Sequence, residues 1–293
     1  LKMIGNRPLL LNYLPDIIIQ YLIDAQSRKI MLPEKQSFKA LLMYTNIPQF
    51  SQIAANYTRN SAGGLENLSN FLNKFLEVFN ETVARTEGEI LKFLNDKLIV
   101  IWPPFNESTE EEVTNICRIA VQSALQLQRG LFEKFTSEAF KPKISISFGL
   151  GEVSILHVGG VQSRVEYLIA GDALFQAIEC DNMTQNGNDI VVNSFVLERV
   201  KDIFMFEQIK THQDSLKSRG GNFFVIKSIL KGAVPKISAD PTAYKNSINK
   251  STVELIRPQI EGYVQREFIN FINTEQELWG CEYRRCTIVH IHI

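Results

Sequence analysis

Cysteine is scarce in this chain, with four among 293 residues, at positions 117, 180, 281 and 286. So few, mostly far apart, build no disulfide framework for a chain of this size, and a reducing, cytosolic compartment is expected. An excess of charge of one sign is also missing. Thirty-one Lys and Arg face 32 Asp and Glu, for a formal net charge of -1, and the basic residues are scattered along the chain. That balance disfavours a general nucleic-acid binder, which needs a basic stripe to meet phosphates. Long apolar runs are absent too. The longest, at 16–23 and 97–102, fall well short of the roughly 20 residues that cross a bilayer, so no membrane span is expected. The opening residues lack the charged, then apolar, then small pattern of a secretory signal. What is present is a globular composition, 45% hydrophobic and 22% charged. It suffices for one large domain or a domain and a half with a real core.

Residues 38–45 (FKALLMYT) form an apolar run without helical period, closed by Asn46-Ile47-Pro48. The pattern predicts a buried strand that ends in a loop. After Gly63-Gly64, Leu65, Leu68, Phe71, Leu72, Phe75, Leu76 and Phe79 recur every three or four residues, which predicts an amphipathic helix to about Arg85. Two apolar runs, 89–94 and 97–102, flank Asn95-Asp96, the composition of a tight hairpin turn. Glu110-Glu111-Glu112 then places carboxylates at the start of a helix, where its dipole favours them. Residues 143–150 alternate apolar and small polar side chains as a half-buried strand does, with 153–158 as its continuation or partner. A strand at 165–170, a helix from Gly171 to about Met183, an Asn186-Gly187 turn, a strand near 189–192, a further strand and a strand near 222–228 follow. Strands alternating with helices around a hairpin point to an α+β domain of the ferredoxin-like kind.

Composition then shifts. Residues 232–250 are rich in Pro, Ser, Asn and Lys, the profile of a linker. The expected organisation is a lead-in at 1–37, a domain at 38–231, the linker at 232–250, and at 251–293 a helix and the first strand of a second domain. The strand-like run at 286–293 would leave edges unpaired, so the natural chain is expected to continue.

Two stretches together carry a family resemblance: residues 42–50, Leu-Met-Tyr-Thr-Asn-Ile-Pro-Gln-Phe, and residues 87–96, Glu-Gly-Glu-Ile-Leu-Lys-Phe-Leu-Asn-Asp. Leu14-Pro15-Asp16, the 146–154 strand and Tyr167 to Ala173 fall in the matching order. Over about 14–227 the chain resembles the class III nucleotide cyclases, and among them the first catalytic domain of soluble adenylyl cyclases. The resemblance implies that fold, a central, mostly antiparallel sheet with helices packed on it. It implies a second cyclase domain of the same chain as partner, ATP as ligand, and Mg2+ or Mn2+ as cofactor.

In that family two aspartates of the first domain hold two divalent metals over the triphosphate. One activates the ribose 3′-hydroxyl and the other neutralises the phosphates and the leaving pyrophosphate. The second aspartate matches Asp96; the first matches Asn46, whose amide carries no charge and bridges two ions poorly. The loop that cradles phosphate matches Ile47, Gln49 and Phe50, but the family's Ser-Gly pair is Pro48-Gln49 here. Pro48 has no N–H to offer and Gln49 adds bulk. Lys92 matches a lysine of the family's bicarbonate activator site, while an arginine of that site is replaced by Ile178. The resemblance therefore implies a degraded half-site, a pseudocyclase or scaffold, with Asp96 and Asn46 as the metal pair and no certain catalytic residue. A working cyclase that makes cAMP and pyrophosphate, using Glu89 as a further acid, is the alternative, and a pure protein-interaction module a third. By resemblance the setting is the cytosol, a cilium or a sperm flagellum, with ciliary or axonemal proteins as partners.

Simpler readings stand beside these. Asn-Asp suits a hairpin turn, Lys92 could face solvent from a strand, and Asp172 at a helix start could be a cap. Gly63-Gly64 lacks the Gly-Lys-Ser/Thr of a phosphate loop and fits helix entry. Cys117 and Cys180 fall on helix faces as core residues. Cys281, Cys286, His290 and His292 do not have the spacing of a structural zinc site.

Overall fold

The computed structural model describes residues 3–4, 7–25, 30–59, 63–94, 96–105, 109–136, 140–210, 221–230, 250–266 and 269. In chain order the elements are β1 (Met3–Ile4), β2 (Arg7–Pro8), α1 (Asp16–Asp24), β3 (Glu34–Asn46), α2 (Phe50–Arg59), α3 (Gly64–Arg85), β4 (Glu89–Leu94) and β5 (Lys97–Ile101). There follow α4 (Glu110–Lys134), β6 (Ser145–Gly159), β7 (Val165–Ala170), α5 (Asp172–Asp181), β8 (Ile190–Asn193), α6 (Ser194–Val200), β9 (Phe204–Gln208), β10 (Phe223–Ile229) and α7 (Lys250–Tyr263). The chain divides into two compact units, one of residues 31–158 and 167–247, the other of 1–30, 159–166 and 248–293.

The larger unit is organised by an eight-stranded sheet in the order β4-β5-β3-β6-β8-β10-β9, with β7 paired to β6. The β6–β8 pair is parallel; β3 runs antiparallel to both β5 and β6, and β8 to β10. The sheet is buried on both faces along β3, where Ala40, Leu41, Leu42 and Met43 are fully enclosed. Consecutive strand residues point to opposite faces, so such a run needs cover on both. On one face Gly149 of β6 lets α5 approach so closely that a Cβ there would stand 1.8 Å from the Ala173 carbonyl oxygen. Its neighbour Phe148 points the other way, its ring 6.2 Å from that of Trp102.

That second face carries α3 and α4. Phe71, Phe75, Phe79 and Val83 form the buried stripe of α3, and Cys117, Ala120, Val121, Ala124 and Leu127 that of α4. The two helices pack on one another. Thr109 caps α4: its hydroxyl accepts from the Glu112 N–H, and its own N–H donates to the Glu112 carboxylate at 2.7 Å. This capping box gives the expected run of acids its role. Gly63, at φ 93°, is the left-handed entry to α3, in keeping with helix entry rather than a phosphate loop. Cys117 and Cys180 are buried, as expected.

The smaller unit has α1 packed on α7. Ile18, Ile19 and Leu22 of α1, and Val253, Ile256 and Ile260 of α7, are its buried residues. No helix among the described residues is long and apolar enough to cross a membrane. The Cys281, Cys286, His290 and His292 set, the 286–293 strand and nearly all of the 232–250 segment lie outside the described residues.

Candidate functional site

The site is built where three strands end. Asn46 closes β3, and its register partners are Lys97, which opens β5, and Ser145, which opens β6. Asp96 precedes Lys97 at the hairpin, and its carbonyl oxygen accepts the Ile47 N–H at 2.9 Å. Backbone pairing thus clamps the hairpin tip against the end of β3. The backbones at Asn46 and Asp96 therefore lie side by side.

The Asn46 side chain carries an anomaly. Its Oδ1 is buried and has no hydrogen-bond partner among the described residues. An orphaned buried acceptor costs about 1–3 kcal/mol, and such an atom calls for a ligand or another role. On the other side of Asn46, the Ser145 hydroxyl donates to the Asn46 carbonyl oxygen at 3.4 Å and lies 3.4 Å from Asp181 Oδ1. Asp181 is the last residue of α5. Burial raises its pKa above the usual carboxylate range; Lys97 and the Ser145 hydroxyl pull it down, and the charge of Asp96 pushes it up. Tyr44, two residues before Asn46 and so on the same strand face, has its phenol pushed up to about 12 by burial and then by the charges of Asp181 and Asp96. Lys97 is the cation of the group, with Nζ 3.9 Å from Asp96 Oδ2 and 5.8 Å from the centre of the Tyr44 ring.

The loop beside this group has little left to offer an anion. The Ile47 N–H is spent on Asp96, the Phe50 N–H donates to the Ile47 carbonyl at 3.3 Å, and Pro48 has no N–H. Gln49 adopts the left-handed region at φ 63°, a conformation glycine takes freely and a side chain strains to reach. Phe50 is half-buried at the start of α2.

Lys92 is placed elsewhere. It lies back along β4, opposite Ile99, and its ammonium donates to the Tyr167 carbonyl at 2.7 Å while sitting 4.6 Å over the Tyr167 ring. Ile178 lies half-buried on α5. Glu89, the extra acid of the working-cyclase alternative, opens β4 opposite Ile101, at the far end of the hairpin from Asp96. The length of β4 separates it from the strand-end group, so that part of the alternative is corrected. Asp181, Ser145 and Tyr44 were missed as site residues. Tyr44 could have been found from its i, i+2 relation to Asn46, and Asp181 from its placement at a helix C-terminus, where an acid opposes the dipole.

Hard oxygen donors dominate this end of the sheet, the donor chemistry of a divalent cation such as Mg2+ or Mn2+. Among the described residues no three His, Cys, Asp or Glu side chains gather as a metal-holding cluster. The group instead joins two carboxylates to an amide.

Comparison with solved structures gives the class. A bacterial light-regulated adenylyl cyclase aligns with a TM-score of 0.57 at 16% identity, covering 86% of this chain and 66% of that one. The adenylyl cyclase CyaB from P. aeruginosa aligns with a TM-score of 0.52 at 18% identity over 68% of this chain and 98% of that one. The larger unit has the fold of a class III cyclase catalytic domain. In sequence, the chain is 26% identical over 184 residues to adenylate cyclase type 10 of Rattus norvegicus, covering 62% of this chain. The chain spans 11% of that relative's length. No family model matches. The chain therefore carries a cyclase-homology domain similar to adenylyl cyclases.

Proposed function

We propose that this domain is the weakened half of a paired adenylyl-cyclase-type assembly, a pseudocyclase that holds a nucleotide and a cation without efficient turnover and supports a second cyclase domain. The observation that carries the reading is the neutral Asn46 amide, clamped beside Asp96 with its Oδ1 buried and unpartnered. A carboxylate there would bring a charge for two cations to share; an amide oxygen serves one. Asp96 and the Asn46 Oδ1 are the atoms that would hold Mg2+ or Mn2+, which when bound neutralises charge on a triphosphate. Ile47, Gln49 and Phe50 form the matching phosphate-side loop, weakened by Pro48 and by the amides already spent.

Lys92 supports the same reading from the activator side. Its ammonium is engaged by Tyr167, and Ile178 supplies no cation to accompany it, so bicarbonate is not an activator of this domain. The proposed organisation keeps the domain at 38–231, joined through 232–250 to a second cyclase-homology domain begun at 251–293. A working adenylyl cyclase is the second reading, favoured by the retained Asp96. A cytosolic, ciliary or flagellar place, with axonemal partners, rests on resemblance alone and is tested by imaging the tagged parent protein.

The test is equilibrium binding of ATP, with Mg2+ and with Mn2+, beside cAMP formation, in the parent protein containing both domains. Saturable, metal-dependent ATP binding with little or no cAMP is expected. Rapid cAMP formation would establish the second reading, and absence of any metal-dependent binding would leave a pure interaction module.

A further inference from the structure

We propose that Asp181 supplies the charge missing at Asn46, so that Asp96, Asp181 and the Asn46 Oδ1 hold one divalent cation at the strand-end site. The inference rests on the reading of this end of the sheet as a nucleotide and metal site, and it adds a ligand from α5.

Placement comes first. One hydroxyl, that of Ser145, lies 3.4 Å from the Asn46 carbonyl oxygen and 3.4 Å from Asp181 Oδ1, so the ends of β3 and α5 are a single side chain apart. Asp96 is clamped to the same strand end through the Ile47 N–H.

The electrostatics of the group without a cation are unfavourable in three ways. Asp181 closes a helix, at the end where the dipole repels an anion. It is half-buried and stands within electrostatic reach of a second acid, Asp96. The Asn46 Oδ1 is buried without a donor. Lys97 offsets part of this, but its Nζ stands 3.9 Å from Asp96 and gives the Asn46 oxygen no hydrogen bond. A single hard cation relieves all three at once. Two carboxylates and an amide oxygen, completed by water and ligand phosphate, form a set that Mg2+ or Mn2+ accepts.

The test is Mn2+ titration of the full chain, read by the electron paramagnetic resonance signal of free Mn2+, together with the Mn2+-induced rise in Tm. One Mn2+ per chain is expected. Asp181→Asn should weaken binding by at least the roughly tenfold that losing a mere supporting partner of a ligand costs, and should abolish the rise in Tm. Lys97→Met removes the competing cation without touching a proposed ligand and should tighten binding, which keeps the test decisive should Asp181→Asn fail to fold. Asp181→Asn binding Mn2+ like the unaltered chain, with Asp96→Asn weakened, would overturn the role of Asp181 and leave the site reading standing. Weaker binding in Lys97→Met would also overturn it. Absence of Mn2+ binding in the unaltered chain would overturn both.

Discussion

Lys92 and the Tyr167 residue it faces hold one another from two directions. The ammonium donates to the Tyr167 carbonyl at 2.7 Å and lies 4.6 Å over its ring, while the Tyr167 hydroxyl donates to the carbonyl of Leu91 at 2.6 Å. The clasp ties β4, at the edge of the sheet, to β7. Tyr167→Phe removes one hydrogen bond and should cost about 1 kcal/mol in urea denaturation. Lys92→Met loses a charge-assisted bond and a cation–π contact at a partly exposed site, and should cost about 1–2 kcal/mol. Bicarbonate should leave the Tm of the unaltered chain unmoved.

Gln49 strains where glycine would rest. At φ 63° its side chain crowds the backbone, a cost of about 1 kcal/mol or more. Gln49→Gly should therefore raise the urea midpoint by an amount worth about 1 kcal/mol, although it removes a side chain.

Gly149 should tolerate nothing larger. A Cβ there would meet the Ala173 carbonyl oxygen at 1.8 Å and the Ala177 nitrogen at 2.9 Å, both backbone atoms of α5 that cannot step aside. Gly149→Ala should cost about 3 kcal/mol or more, and loosen the helix that carries Asp181. Limited proteolysis beside thermal melting would show both effects.

His157 sets a pH dependence. It is fully enclosed on β6, opposite Glu34 in register, with its Nε2 3.2 Å from Gln36 Oε1. Burial lowers its pKa below the ordinary imidazole value, and the Glu34 charge opposes this only in part. The unfolded chain, with an ordinary pKa of about 6.5, then binds the proton more readily than the folded one. Stability is full above about pH 6.5 and declines as pH falls from there toward the folded value. His157→Gln should flatten that decline in urea denaturation series.

Much of this fold was legible because its pattern is local. The α3 stripe of Phe71, Phe75 and Phe79, the hairpin around residue 95 and the acids opening α4 each follow from spacing within one element. Two elements go beyond what the local pattern gives. Helix α2 follows Pro48, where the strand pattern predicts only a loop, and half of its ten residues are polar. Strand β6 runs unbroken from Ser145 to Gly159, so 153–158 continues the 143–150 strand and is not its partner, and Gly149 within it admits α5. At the site, Asn46 and Asp96 were legible through the family motifs. Asp181 was not, since its neighbours Ser145, Lys97 and Asp96 are distant in sequence and only the folded sheet assembles them.

One missing carboxylate at position 46 is proposed to weaken this half-site. The most direct measurement is cAMP formation from ATP, with Mg2+ and with Mn2+, by the parent protein containing both domains, beside its Asn46→Asp variant. Little or no product is expected from the unaltered protein, and a rise of roughly tenfold or more on restoring the carboxylate, an effect of about 1.4 kcal/mol on the barrier. Vigorous turnover with Asn46 in place, unchanged by Asn46→Asp, would contradict it.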